Sequence, residues 1–397
     1  MLAATVRVAG TIDLAEDCAQ NAFLSALDAW LRDGIPRNPG AWLTTAARRE
    51  ALDAHRRSQR LRAKLPLLAA EYGATDLSSD AAPDSEDTTF YDDRLRLIFT
   101  CCHPALAREA QIALTLRLVC GLSTGDIARA FLVTESTMAA RVTRAKKKIA
   151  AARIPYRVPA ENELTERLDA VLSVLHLVFT AGHTAPSGDR LVRPELVERA
   201  IELTRLLAAL MPDEREVRGL LALMLVTDGR RATRLDGAGE LVLLAAQDRS
   251  RWDRGLIDEG HRVLLDALRG TRPQRFVLQA AIAALHAEAP SYAETDWPQI
   301  LGLYDLLLAA WPSPVVELNR AVVIAMAGGP QAGLVAIDAI DQAALAGYHY
   351  LPGARAELLR ELGRFDEAAE QYRAALALVD NAAERAHLIR RLGELQV

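Results

Sequence analysis

The stretch GLSTGDIARAFLVTESTMAARVTRAKKKI, residues 121–149, decides the fold of its part of the chain. An apolar face on a first short helix is followed by a three-residue turn at 132–134. In the next segment apolar residues recur at intervals of four, three and four, which is one buried helical stripe. These residues are Met138, Val142, Ala145 and Ile149. The pattern predicts a helix-turn-helix unit.

The second helix of this unit has the layout of a helix that enters the major groove of DNA. Small side chains crowd its start and cations occupy an adjacent exposed face, so arginine can read guanine while lysine contacts phosphate. Lys146, together with the two lysines after it, is expected to touch mainly phosphates. The candidate contacts are Ser136, Thr137, Ala140, Arg141, Arg144, Lys147 and Lys148. The alternative interpretation is a surface helix with a solvated charged face.

Composition favours an all-α protein of several domains. Of 397 residues, 51% are hydrophobic and only 5% aromatic, and alternating β-branched runs are absent. No apolar run reaches the ~18 residues of a membrane helix, and the N-terminus lacks a signal-peptide layout. We therefore expect a cytoplasmic protein without a membrane partner. Cys101, Cys102 and His103 lack a second ligand cluster at zinc spacing, so no metal site is expected.

Charge is segregated along the chain, whose net charge is −5. Residues 48–64 carry seven basic and two acidic residues, and residues 126–153 carry the same numbers. Between them, residues 65–93 carry eight acidic residues and no basic one. Two basic blocks flanking an acidic spacer suit nucleic-acid contacts joined by a linker. Residues 154–397 are acidic, with 26 basic and 34 acidic residues.

These patterns predict four segments. A small helical domain spans 1–64, an acidic linker 65–92, the helix-turn-helix domain 93–154 and a helical domain 160–397. In the last segment, amphipathic helices alternate with short Gly/Pro breaks. Near the end of the chain, small residues occupy the contact positions of a tetratricopeptide-type hairpin, with a looser copy about 36 residues earlier. A helical-repeat architecture is the first expectation for 160–397, and an ordinary all-α domain the alternative.

The first segment resembles the second conserved region of extracytoplasmic-function (ECF) sigma factors. Its DLAEDCAQNAFLSALDAW, a Pro/Gly loop and GAWLTTAARREALDAHRR match the AEDxxQxxF helix and the WLxxIARNxxxDxxR helix of that family. Residues 121–149 resemble the fourth region. DDRLRLIFTCCHPAL and QDRSRWDRGLIDEG resemble signatures of the subgroup with a long C-terminal helical-repeat extension. Since only about twelve residues precede the AED helix, the first domain is expected to be N-terminally short.

The resemblance implies roles for matching residues. Asp17, Gln20 and Phe23 would dock on the β and β′ subunits of core RNA polymerase, and Trp42 would anchor the helix that follows it. A base flipped from the −10 element and the opened strand would be held by Asn38, Arg48, Arg49, Arg56 and Arg57. The seven helix-turn-helix residues named above would read the −35 element.

Residues 160–397 show no catalytic constellation, so neither an enzyme nor a cofactor is expected. Two stretches rich in arginine and acid, 228–240 and 247–260, fit either a structural ion-pair network or a surface for a ligand or protein partner. The leading hypothesis is a sigma factor that binds core polymerase and promoter DNA and is modulated by its C-terminal domain. The alternative is a free-standing helix-turn-helix regulator with a ligand-sensing C-terminal domain.

Overall fold

Three helices packed through small side chains begin the chain. The computed structural model describes residues 1–72, 93–131, 133–269 and 274–395, so most of the predicted acidic linker and Leu132 of the predicted turn lie outside the described residues. The helices are α1 (Leu2–Ala9), α2 (Ile12–Asp33) and α3 (Pro39–Tyr72). The Thr11 hydroxyl caps α2 by accepting from the Leu14 N–H at 3.4 Å. α3 runs to Tyr72, beyond the end near Lys64 that the sequence pattern predicts.

The side chains between these helices are mostly alanine. Ala15 and Ala22 of α2 and Ala47 and Ala51 of α3 have no exposed surface, and Cys18 is 3% exposed. The large apolar residues of α2 are instead on its outer side. The spacing of Leu24, Leu27 and Leu31 in the sequence fits a core stripe equally well, but in the structure all three are exposed. Alanine packing keeps the helices close and leaves these leucines without a place inside.

Four further helices follow from residue 93 onward. They are α4 (Asp93–Cys101), α5 (Arg108–Leu114), α6 (Thr124–Ala130) and α7 (Glu135–Ala151), and a π-helical turn, Thr115–Val119, continues α5. Phe99, Leu114, Ile127 and Met138 are fully or almost fully buried among them. The Tyr156 hydroxyl donates to the carbonyls of Ala3 (2.7 Å) and Asp93 (3.0 Å), which ties α1 to α4.

The chain divides into two compact units, Met1–Val174 and Leu175–Val397. The division falls inside α8 (Glu161–His183). The first half of α8 belongs to the first unit, where Arg167 donates to the Phe99 carbonyl at 2.7 Å and Arg108 donates to the Ala170 carbonyl at 3.4 Å. The predicted start of the C-terminal domain at residue 160 stays a prediction.

The second unit is built of paired helices. They are α9 (Pro194–Leu210), α10 (Arg215–Asp228), α11 (Arg254–Leu268), α12 (Arg275–Glu288), α13 (Trp297–Ala310), α14 (Pro314–Gly328), α15 (Pro330–Asp338), α16 (Tyr350–Glu361), α17 (Phe365–Leu378) and α18 (Ala382–Gly393). Between α10 and α11 an irregular segment contains the 3-10 turns Arg231–Thr233, Leu244–Ala246 and Arg249–Arg251. All-α architecture with a helical C-terminal region is thereby confirmed.

The hairpin of α16 and α17 has the contacts that the sequence pattern predicts. Ala368, Tyr372 and Ala375 have no exposed surface, and Leu362 and Leu376 pack against the same cluster. Gly363 adopts φ 73° in the turn, a conformation that favours glycine. The Tyr372 hydroxyl donates to Glu357 at 2.6 Å, and Arg391 of α18 donates to both oxygens of the same carboxylate. This network joins three consecutive helices.

The end of the second unit lies against its beginning. β1 (Ser187–Gly188) pairs in parallel with β2 (Asp380–Asn381). The fully buried Asn381 amide donates to the carbonyls of Ala185 (3.0 Å) and Arg190 (3.2 Å), and its side-chain oxygen accepts from the first backbone N–H groups of α18. One side chain therefore both caps the last helix and fastens it to the chain near the start of the unit.

Candidate polymerase and promoter interface

Side-chain caps fix the N-termini of the two helices of the helix-turn-helix unit. Ser123 and Asp126 form a capping box, in which the Asp126 carboxylate accepts from the Ser123 hydroxyl at 2.5 Å and the Asp126 N–H donates to that hydroxyl at 3.0 Å. Thr134 caps α7 by accepting from the Thr137 N–H at 3.2 Å. These caps fix where each helix starts and therefore which residues α7 presents.

The predicted buried stripe of α7 is confirmed. Met138, Val142, Ala145 and Ile149 are all less than 9% exposed. The residues proposed to contact DNA lie on the other faces. Arg141 is half-buried and lines a small cavity together with Phe131 and Met138. The exposed ones are Ser136, Thr137, Ala140, Arg144, Lys147 and Lys148. Among the described residues, none of these four cations forms a salt bridge, so nothing in the described chain competes with DNA phosphates for them.

Lys146 differs from its two neighbours. It forms salt bridges with Asp13 (3.2 Å) and with Glu16 of α2. Burial opposes its charge, but the hydrogen bonds that Lys146 donates to the two carboxylates, together with their charges, outweigh burial and raise the pKa of Lys146. The expectation that Lys146 is exposed to phosphates like Lys147 does not hold in this arrangement, because the partners are supplied by a helix distant in sequence.

The residues proposed to dock on polymerase lie on the same side of α2. Asp17, Gln20 and Phe23 are exposed, and Asp17 and Gln20 line a cleft of about 300 Å³ whose other wall includes Val142 and Lys146 of α7. Gln20, Leu24, Leu27 and Leu31, spaced by four, three and four residues, continue as one exposed face. The sequence alone does not predict this exposed apolar extension, because helical spacing does not say which face of a helix is buried.

The proposed −10 residues occupy the start and the exposed sides of α3. The Asn38 side chain accepts from the Ala41 N–H at 3.0 Å and so caps the helix, while the residue itself stays exposed. Trp42 packs edge-to-face on Trp30, with ring centroids 5.7 Å apart, which fits the anchoring role expected of it. Arg49, Arg56 and Arg57 are exposed and Arg48 is half-buried. Arg49 and Arg56, seven residues apart, share one face.

The cysteine-rich segment of α4 is packed into the core. Cys101 and Cys102 have no exposed surface, and burial raises the pKa of the Cys102 thiol to about 11. His103 accepts from the Ala105 N–H at 3.1 Å. Within the described ranges, no three histidine, cysteine or acidic side chains lie where they could hold a metal ion. No helix in those ranges has the length and apolarity that crossing a bilayer requires.

Comparison with known families matches three parts of the chain. Residues 2–61 match sigma-70 region 2 and residues 96–149 match sigma-70, region 4. These matched ranges contain α2 with its exposed face and the helix-turn-helix unit with its basic helix. Together the two matches support an RNA polymerase sigma factor.

The third matched part of the chain lies after the two sigma-70 regions. Residues 167–268 match a family of unknown function (DUF6596). The chain is 43% identical over 394 residues to an uncharacterized protein of Rhizobium meliloti (strain 1021), covering 99% of this chain and 93% of that protein. No solved structure matches the chain.

The sigma-70 regions decide between the two functional hypotheses. A region that binds core polymerase is present beside the helix-turn-helix, which supports promoter recognition by a polymerase-bound factor and does not favour a free-standing regulator. Core RNA polymerase and promoter DNA are its partners. The matched regions indicate a transcription factor rather than an enzyme.

Proposed function

We propose that the chain is an ECF-type sigma factor whose C-terminal, tetratricopeptide-like unit modulates promoter-directed transcription. The observation that carries the proposal is the exposed face of α2. Phe23 is 52% exposed and Leu31 is 86% exposed, on a helix that belongs to sigma-70 region 2. Contiguous exposed apolar side chains with a polar rim are typical of protein-binding surfaces. Because its partners are polymerase and promoter DNA, we propose a cytoplasmic location.

Docking on the β and β′ subunits is assigned to Asp17, Gln20 and Phe23, extended by the leucines of the same face. Co-purification of the full chain with core polymerase tests this assignment. We expect Phe23→Ala and Gln20→Ala to weaken retention, because each removes surface that the polymerase would bury. Ser25→Ala is the matched control, since Ser25 is exposed on α2 but lies more than 100° around the helix from Gln20. Retention of both variants at the wild-type level would refute the assigned interface.

Promoter contacts are divided between the two DNA-binding parts. We assign the −10 element to Asn38, Arg48, Arg49, Arg56 and Arg57, and the −35 element to the exposed residues of α7. Exposed cations beside the loop that precedes α3 suit the capture of a separated strand by phosphate contacts. Transcription from a promoter library with purified core polymerase would identify the two elements and their spacing.

Modulation by the C-terminal unit is tested by transcription with and without it. The truncation is placed after residue 174, where the first unit ends, because cutting at residue 160 would remove the hydrogen bonds from Arg167 to Phe99 and from Arg108 to Ala170. We expect reduced transcription from the truncated chain. Equal transcription by truncated and full-length chains, with both bound to polymerase, would refute modulation.

A further inference from the structure

Arg230 and Arg249 of the second unit lie over one buried tryptophan, and the charge of a third arginine, Arg234, acts on Arg230. Trp252 is 4% exposed and donates its indole N–H to the Thr233 hydroxyl at 2.9 Å. The guanidinium carbons of Arg249 and Arg230 lie 4.6 Å and 5.9 Å from the centroid of its ring. Arg234 is close enough that its charge, after burial itself, lowers the pKa of Arg230, which falls to about 10.

Neutral groups hold two of these arginines in place. Arg249 donates to the carbonyls of His286 and Ala289, both at 2.7 Å, at the end of α12. Arg234 donates to the Thr184 hydroxyl at 2.9 Å and to the His183 carbonyl. Carbonyls orient a guanidinium group but do not neutralise it, so the cluster keeps its positive charge.

Acidic partners are missing from the centre of the cluster. Within the described residues, Arg230, Arg234 and Arg249 form no salt bridge, whereas neighbouring Arg231 pairs with Asp228 at 3.0 Å. Arg230 Nε and Arg249 Nη2 are buried without a hydrogen-bond partner there. The negative charge of Glu384 acts on Arg234 without forming a salt bridge with it. In this arginine-rich segment Arg231 therefore belongs to an ion-pair network, one of the two possibilities that the sequence allows. The three arginines of the cluster form no such pair among the described residues.

Buried guanidinium nitrogens without a hydrogen-bond partner are costly, and a bound anion is one way in which proteins satisfy them. We infer that Arg230, Arg234 and Arg249 form a binding site for the oxyanion group of a small molecule, a phosphate or a carboxylate. Guanidinium groups bind both anions through paired N–H donors. Arg230 retains some exposed surface, which gives the anion a route to the cluster.

Two histidines beside the cluster add no charge to it. Burial, with the charges of Arg230 and Arg249, lowers the pKa of His286 to about 4, and burial with the charges of Arg234 and Arg230 lowers that of His183 well below its usual range. Both imidazoles are therefore neutral at pH 7. His286 Nδ1 and His183 Nε2 are buried without hydrogen-bond partners among the described residues.

Calorimetric titration of the full chain with inorganic phosphate, and separately with acetate, tests the inference at constant ionic strength set by chloride. We expect saturable binding of phosphate or acetate, and the tighter of the two names the ligand class. Arg230→Gln should weaken that binding about ten-fold or more, since the uncommitted guanidinium is lost. The same variant without anion should unfold at no lower temperature than wild type, because an unpaired buried charge is removed. A purely structural arginine would instead lower that temperature.

Arg254→Gln is the matched control, because Arg254 lies 5.9 Å from the same ring but is exposed. It should bind the anion as wild type does. Should Arg230→Gln fail to fold, Arg230→Lys keeps the charge without the paired donors and should still weaken binding several-fold. Absence of saturable binding to both anions would overturn the site. Equal binding by wild type and both Arg230 variants would also overturn it, because the anion would then bind elsewhere.

Discussion

Lys146 lies on the basic helix α7, but its salt bridges are with Asp13 and Glu16 of α2. Replacing both partners, Asp13→Asn with Glu16→Gln, should free its ammonium group for a phosphate. We expect the salt dependence of promoter-fragment binding to steepen by about one released counterion. The double variant should also be less stable than wild type, because the largely buried ammonium loses both of its carboxylates. Fluorescence anisotropy over a range of salt concentrations measures the slope. Asp28→Asn, on the same helix and exposed, should leave it unchanged. An unaltered slope in the double variant would mean that Lys146 does not reach DNA.

Arg141 and Lys147 illustrate two ways of binding the same DNA. Arg141 is half-buried and lines a small cavity together with Phe131 and Met138, so we expect its guanidinium to be less mobile than the ammonium of exposed Lys147 and able to read a base edge. Arg141→Ala should relax specificity at one −35 position at a cost of roughly 1–3 kcal/mol. Lys147→Ala should weaken all sequences alike. Binding across a set of single-base promoter variants separates the two, and uniform weakening by Arg141→Ala would rule out base reading.

At the scale of the element, close helix pairs in the second unit depend on glycine. A Cβ at Gly219 of α10 would lie 2.6 Å from the backbone nitrogen of Val277 in α12. Gly219→Ala should therefore destabilise the protein by about 1–2 kcal/mol, since overpacking outweighs the ~1 kcal/mol gained in helix propensity. Gly302→Ala in α13 meets nothing within 4 Å and should stabilise by about 0.5–1 kcal/mol. Urea denaturation compares them. Equal effects of both substitutions would show that the α10–α12 contact is not tight.

Individual helices were predictable because their determinants are local. The buried stripe of α7 and the α16–α17 contacts each depend on residues within one or two helices. Lys146 and Glu16, by contrast, are 130 residues apart, so the sequence could mark both as charged without pairing them. The exposed leucines of α2 needed knowledge of which face its neighbours cover. Pro155 and Pro159 suggest a domain boundary in the sequence. The two units instead meet inside α8, which begins after these prolines, so the sequence did not show that α8 contributes to both units.

On the scale of the whole molecule, buried histidines make stability depend on pH. Burial, and then the charge of Arg275, lowers the pKa of His176 from 6.5 to about 4, and His286 shifts as far. The unfolded chain binds more protons than the native one between pH 6.5 and 4, so stability is lost as pH falls through this window. Each histidine contributes up to roughly 3 kcal/mol. Thermal unfolding at pH 7.5 and 5 should differ less in His286→Gln than in wild type. The exposed control His55→Gln should match wild type, and an undiminished difference in His286→Gln would contradict the assignment.

The pairing of β2 with β1, secured by Asn381, bears on how this gene can change. Open helical repeats commonly lengthen or shorten by duplication or deletion of one unit, because each repeat touches only its neighbours. Here an added or lost hairpin would carry Asp380 and Asn381 away from Ser187 and Ala185. The number of hairpins is therefore constrained by closure. We expect length differences among related genes to fall in turns such as 235–241, where an insertion leaves both ends of the unit together.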